Sequence, residues 1–221
     1  MLEIACFEIT SAELALQSVA DRIEFCADVS AGGTTPSIEE FRYLRGKYDK
    51  PIHVMIRPSG GPFFYNDAEF IQMQNDILEF KNAGADGFVF GILTHHQFID
   101  QEKNQILVDL AGDTTCVFHR AIDRTPEIFE ATKTLIKIGF KEVLTSGGKN
   151  SAIEGKETLA KLISDFDDKI KILIGGGVRS SNILELMDVT KGGRYHSSAI
   201  LPYESFTNVA EIKNLKKSIE E

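Results

Sequence analysis

No apolar run in this sequence approaches the ~20 residues needed to cross a bilayer, so no membrane span is expected. Positive charge is also in short supply. Lys and Arg number 24 against 33 Asp and Glu, a net charge of -9 with no local basic patch, which argues against a nucleic-acid partner because backbone phosphates repel such a surface. Cysteine is scarce and odd in number. Cys6, Cys26 and Cys116 lie far apart in apolar, strand-like runs, which suits reduced thiols rather than a disulfide framework. The opening Met1-Leu2-Glu3-Ile4-Ala5-Cys6 lacks the basic and long apolar regions of a secretory signal, so the expected location is cytoplasmic. Linkers, low-complexity tracts, and the CxxC and HExxH spacings of dedicated zinc sites are missing as well.

What is present is alternation. Apolar runs with β character interleave with helical patterns along almost the whole chain, the signature of βα units around a parallel sheet. Eight strands are expected, at about 2–7, 22–27, 52–57, 87–93, 115–121, 142–146, 171–175 and 194–198. Between them, Thr10 with Glu13, Ser37 with Glu40 and Ser151 with Glu154 have the spacing of capping boxes. Phe70, Met73, Ile77 and Phe80 recur at helical intervals before Gly84; a helix opening near Pro126 carries Leu135 and Ile138 before Gly139; Ile212, Leu215 and Ile219 mark a last helix. Eight units in 221 residues predict one domain over residues 1–221, a closed (β/α)8 TIM barrel. The rival is an open doubly wound sheet, whose strands are buried on both faces and carry few ionisable residues. Here Glu3, Glu24, His53, Arg57, His119 and His196 alternate with apolar neighbours, and a barrel lumen gives them one place to converge.

In such a barrel the reactive groups stand at the C-terminal ends of the strands. Arg57 ends the third strand before Pro58-Ser59-Gly60-Gly61 and reads either as an anion clamp or as a cation neutralising Glu24. His53, earlier in that strand, belongs near the barrel floor in a structural role. His119 and Asp123 have the parity to share a face, so a carboxylate orienting an imidazole for acid–base work is expected; the alternative is a hydrogen-bonded core histidine. With Glu24 and Arg57 they make up the candidate catalytic set. The later loops supply a candidate anion site, with Ser146, Gly147 and Gly148 after the sixth strand, Gly176, Gly177 and Arg179 after the seventh, and Ser197 on the eighth. Cys6 and Cys26 end adjacent strands, and soft thiolates suit Cu(I). Parity separates them: if Glu3 and Glu24 face inward so does Cys26, whereas Cys6 does not, and only a break in alternation at the strand end brings the sulfurs together. Otherwise both are small buried residues. His95 and His96 follow the fourth strand and are a candidate surface metal pair.

The segments RIEFCADVSAGGTTPS, IHVMIRPSGGPFFYNDAEF, GADGFVFGILT, FHRAID, LTSGG, SAIEG, GGGV and HSSA, in this order from Leu2 to about Ala199, resemble the CutC family of copper homeostasis proteins. The resemblance implies a cytoplasmic (β/α)8 barrel concerned with copper handling, Cu(I) bound by cysteines matching Cys6 and Cys26, and a homodimer. The chain departs from the family pattern where Ile200-Leu201-Pro202-Tyr203 passes quickly to the last helix, and where His95 and His96 follow GILT. Two functions stay in play: a copper-homeostasis protein binding Cu(I), and an enzyme or sensor for a small anionic or phosphorylated metabolite. A third is an oligomeric scaffold. The second accounts for a polar lumen that two thiols do not need.

Overall fold

The computed structural model describes residues 1–220. Among these, eight strands, β1 (Leu2–Cys6), β2 (Arg22–Phe25), β3 (Ile52–Met55), β4 (Gly87–Phe90), β5 (Thr115–Phe118), β6 (Glu142–Thr145), β7 (Lys171–Ile174) and β8 (Tyr195–Ser197), alternate with eight α-helices. The helices are α1 (Ile9–Gln17), α2 (Ile38–Lys47), α3 (Asp67–Asn82), α4 (Gln101–Ala111), α5 (Ile128–Ile138), α6 (Lys156–Phe166), α7 (Ile183–Thr190) and α8 (Val209–Glu220). Every strand pairs in parallel with the next, and β8 closes on β1 through Leu2↔Tyr195, Glu3↔His196 and Ile4↔Ser197. That closure removes the open-sheet alternative. The molecule is a (β/α)8 barrel.

The strands are shorter than the sequence suggests, because their C-terminal residues leave the ladder to build loops. After β5 the chain turns at once into a 3-10 helix, Arg120–Arg124. Helix ends follow local chemistry, though not always at the expected residue. Thr10 and Glu13 form no capping box; Glu8 caps α1 instead, its carboxylate accepting from the amides of Thr10 and Ser11. Ser37 accepts from the Glu40 amide as expected, while its hydroxyl donates to Glu39. Ser151 accepts from the Glu154 amide in a turn that precedes α6 rather than at its cap. The reciprocal box belongs to Asn66 and Glu69 on α3, where an amide side chain does the work of the hydroxyl. Helix α5 buries Ala131, Leu135 and Ile138 as one stripe and stops where Gly139 adopts φ +103°, open to glycine at no steric cost.

Two apolar layers follow from strand alternation. The larger lies between sheet and helices and holds Ile4, Cys6, Phe25, Phe88 and Phe118 with the inner faces of the helices. The smaller lies inside the barrel: Cys26, Met55, Val89, Val117, Leu144 and Leu173. Each large side chain buried this way contributes about 1.5–3 kcal/mol, so the outer layer dominates stability and leaves the lumen free to carry polar groups.

Candidate functional site

The lumen holds a network of buried charge. Arg22 donates through Nε to Glu3 Oε2 at 2.5 Å and through both terminal nitrogens to Glu142 at 2.5 and 3.1 Å, with Arg194 3.7 Å from Glu142. His196 places Nδ1 2.7 Å from Glu3 Oε1 and Nε2 3.5 Å from Glu24 Oε2. Burial works to raise the Glu3 carboxyl, but Arg22 and His196 outweigh it and hold Glu3 well below the usual carboxylate range. Arg22 acts on Glu24 only beyond ion-pair distance. Burial pushes Glu24 up to about 7 against the pull of His196, and its Oε1 is buried without a hydrogen-bond partner. The imidazole of His196, despite burial, is raised by Glu3 and Glu24 and so favours the charged form.

His53 and His119 occupy lumen positions for a reason visible in the neighbouring strand, β4. A Cβ on Gly87 would lie 2.5 Å from the His53 ring, and one on Gly91 would lie 2.7 Å from His119 Nδ1. Both glycines make room for an imidazole. Burial and Arg22 lower the pKa of His53; burial and the nearby Arg57 push His119 down to about 3, so it is neutral. His119 Nδ1 accepts from the Ala121 amide at 3.3 Å, which places the ring proton on Nε2, and that N–H is buried without an acceptor. The ring rests on Phe63, centroids 4.8 Å apart.

Asp123 does not orient His119. The 3-10 helix after β5 breaks the strand parity on which that pairing depended, and the Asp123 carboxylate turns to the β6 loop. There it accepts from Thr145 Oγ1 at 2.5 Å, Ser146 Oγ at 2.9 Å, Arg120 Nε at 3.0 Å, and the amides of Ser146 and Gly148 at 3.1 and 2.9 Å. Gly147 serves the same loop, its amide donating to Thr145 Oγ1. Glu211, from α8, does likewise after β7, accepting from the Ser180 amide and hydroxyl at 2.7 and 2.6 Å. Asp123 therefore occupies two amides of the β6 loop expected to receive an anion, and Glu211 occupies one amide after β7, at Ser180.

Arg57 does not reach Glu24. Its guanidinium donates to the carbonyls of Ala31 (2.6 Å), Gly33 (2.7 Å) and Gly61 (3.1 Å), and lies 4.9 Å over the Phe63 ring. Arg179 donates to the carbonyls of Val178 and Ile200 and to the hydroxyls of Ser197 and Ser198. Among the described residues, neither arginine has a carboxylate within 4.0 Å. Both line an inner cavity of about 280 Å³, together with Glu24, Cys26, His119, Gly176, Gly177, His196 and Ser197. An outer cleft of about 820 Å³, bordered by Phe64, His95 and Lys149, shares Arg57, Phe63 and Arg120 with this cavity as lining.

The cysteines stay apart. Alternation persists to the end of β1, so Cys6 packs into the outer layer, donating to the Ile4 carbonyl, while Cys26 faces the lumen. Their sulfurs lie on opposite faces of the sheet and do not form a ligand pair for Cu(I). Burial, with Glu8 next for Cys6 and Glu24 next for Cys26, raises both thiols well above the ordinary range. Among the described residues one group of three or more potential metal ligands converges: Glu3, Glu24 and His196, within 4.8 Å of one another. His95 and His96 are exposed and belong to no such group. Sequence reasoning placed Glu3 and His196 in the lumen without seeing that they meet; it missed Arg22, Glu142 and Glu211. Only the cross-strand register joins them.

The chain is 38% identical over 199 residues to a human protein named copper homeostasis protein cutC homolog, covering 90% of this chain and 73% of that protein. A Caenorhabditis elegans protein of the same name is 40% identical over 199 residues, with 90% and 80% covered. The solved structure of a CutC protein from Streptococcus agalactiae superposes with a TM-score of 0.84 at 30% identity, over 90% of this chain and 98% of that one. The model of the CutC family matches residues 1–201. The chain belongs to the CutC family.

Proposed function

We propose that the protein binds a small anionic molecule in the inner cavity and moves a proton on it. One observation carries this reading: Arg57 and Arg179, two lumen-facing cations without a carboxylate partner, share a cavity with the unpaired polar atoms His119 Nε2 and Glu24 Oε1. Buried groups left unpaired are costly, and a ligand that brings negative oxygens can accept from His119 Nε2 and Arg57 Nε, buried donors without a partner. The guanidinium groups and the His119 N–H then position the ligand. Glu24, raised to about 7, is matched to proton transfer near neutral pH, and His196 holds the charge that Glu24 gains or loses. The three buried, unpaired cysteines fit a reducing compartment such as the cytoplasm.

Saturation-transfer NMR on mixtures of small carboxylates and phosphates tests the site. Binding to the wild type that is lost in Arg179→Met and His119→Gln, with the far-UV spectrum unchanged, is the expected result; wild-type binding in both variants removes the reading. Deuterium uptake into the bound molecule, abolished by Glu24→Gln, tests the proton transfer. A second reading keeps copper as the ligand, since Cys26 lines the same cavity beside Glu24 and His196. Cu(I) held there has one thiolate, because Cys6 lies behind the sheet.

A further inference from the structure

The turn after β7 holds two backbone donors that the fold itself does not use. The Gly175 amide donates to the Thr145 carbonyl at 3.0 Å and the Arg179 amide to Asn182 Oδ1 at 2.9 Å. Between them, the amides of Gly176 and Gly177 have no acceptor among the described residues. Both glycines line the inner cavity, with φ of +101° and +79°, and a Cβ on Gly177 would meet nothing within 4 Å. That second glycine therefore serves backbone shape rather than packing, and successive N–H groups in such a turn make a concavity for an anion. The Gly176 carbonyl accepts from the Ala152 amide at 2.8 Å, so across the trans peptide the Gly177 N–H points away from the β6 loop.

Two side chains of the same cavity add donors. Ser198 Oγ accepts from Arg179 Nη2 and the Ile200 amide and donates to no described residue, which leaves its proton for a ligand. Arg120 gives Nε to Asp123 and Nη2 to Ser146 Oγ and two loop carbonyls. Its Nη1 has no acceptor among the described residues and lies 3.4 Å from where a Gly176 Cβ would stand. Arg179 spends its terminal N–H groups on carbonyls and serine hydroxyls, so it supplies charge and holds Ser198 in place. Along the cavity wall three arginines, Arg57, Arg120 and Arg179, face one carboxylate, Glu24. In a chain of net charge -9 that local excess favours a ligand with more than one negative charge.

We infer that the Gly176 and Gly177 amides, the Ser198 hydroxyl and Arg120 Nη1 form a phosphate subsite, and that the ligand of the inner cavity is a small phosphate monoester. The inference rests on the anion reading given above and names its chemical class. A phosphate dianion brings three acceptor oxygens to these four donors and matches the positive excess. A monocarboxylate brings two oxygens and one charge. His119 Nε2 and Glu24 are then left for the carbon skeleton and a second oxygen on it. A cavity of about 280 Å³ keeps that skeleton short.

Thermal shift and amide NMR on the full chain test this at pH 8, where phosphate is a dianion, with inorganic phosphate, phosphoglycolate, glycolate and pyruvate at matched ionic strength. At about ten times the Kd a bound probe should raise Tm by roughly 3–6 °C. The expected result is protection by phosphoglycolate and by phosphate, with glycolate and pyruvate weaker by about tenfold or more. In protein labelled with 15N-glycine, the Gly176 and Gly177 amide signals should move with phosphate. Ser198→Ala should weaken phosphate about tenfold, the equivalent of one hydrogen bond to a charged group, and leave glycolate unchanged. Glycolate or pyruvate protecting the wild type as strongly as the phosphates overturns the phosphate subsite and leaves the anion site standing. So do Gly176 and Gly177 signals that stay in place while phosphate raises Tm. Protection by none of the four overturns the anion site itself. The wild-type order and the amide signals need no variant to fold.

Discussion

Replacing Glu24 by Gln isolates the buried carboxyl that the site depends on. The ordinary carboxyl value of 4.5 is raised to about 7 here, chiefly by burial, and each pKa unit corresponds to about 1.4 kcal/mol, so the charged form is disfavoured by roughly 3 kcal/mol. The sign follows from proton counting. Between the unfolded and folded pKa values the unfolded chain has released the Glu24 proton and the folded chain has kept it, so stability falls as pH rises from 4.5 to about 7 and is level above that. Glutamine keeps the shape and never ionises. From pH 5 to pH 8 the variant should therefore gain about 2 to 3 kcal/mol on the wild type by this linkage alone. His196, 3.5 Å from Glu24 and raised partly by it, loses an attractive partner in the variant, which trims the gain to about 2 kcal/mol. Urea unfolding of both proteins at pH 5 and pH 8, with m-values compared, measures the change. A stability difference that is the same at the two pH values refutes the reasoning, because Glu24 would then not titrate between them.

Three further outcomes follow from the packing and the charge network. Gly87→Ala places a Cβ 2.5 Å from the His53 ring and should lower stability by about 1–3 kcal/mol in urea unfolding, a loss largely relieved when His53→Ala is added. Arg22→Leu removes the guanidinium that bridges Glu3 and Glu142, leaving Glu142 only the more distant Arg194, and should cost about 3–5 kcal/mol at pH 7. Glu3, held low in the folded state, stabilises above pH 4.5 and loses that contribution on acidification, so the penalty should shrink toward pH 4. In Cu(I) competition with a chelator, Cys6→Ser should leave affinity unchanged, and any site that exists should respond to Cys26→Ser, because the two thiols face opposite sides of β1 and β2.

Only part of the site could be read from the chain. Parity within one strand correctly put Cys26 inside and Cys6 outside, since alternation is a local property of extended backbone. It failed for His119 and Asp123, where a 3-10 helix replaces the extended backbone and sends the carboxylate to the neighbouring loop. The carboxylates that bind at the late turns were not visible in the chain, because Asp123 lies 22 to 25 residues from the β6-loop groups it binds and Glu211 lies 31 from Ser180.

Eight β runs spaced by amphipathic helices and short glycine turns imply the barrel before any contact is known, because the local periods that reveal them need no partner to be seen. The sequence also determined which strands carry ionisable side chains. The tertiary structure decided which of those meet. Ring closure sets Glu3 beside His196 across 193 residues and Arg22 beside Glu142 across 120, and burial at those meeting points splits two glutamates into one held charged and one held near neutrality. Ionisation is decided by partners and desolvation, and both exist only once the barrel has closed.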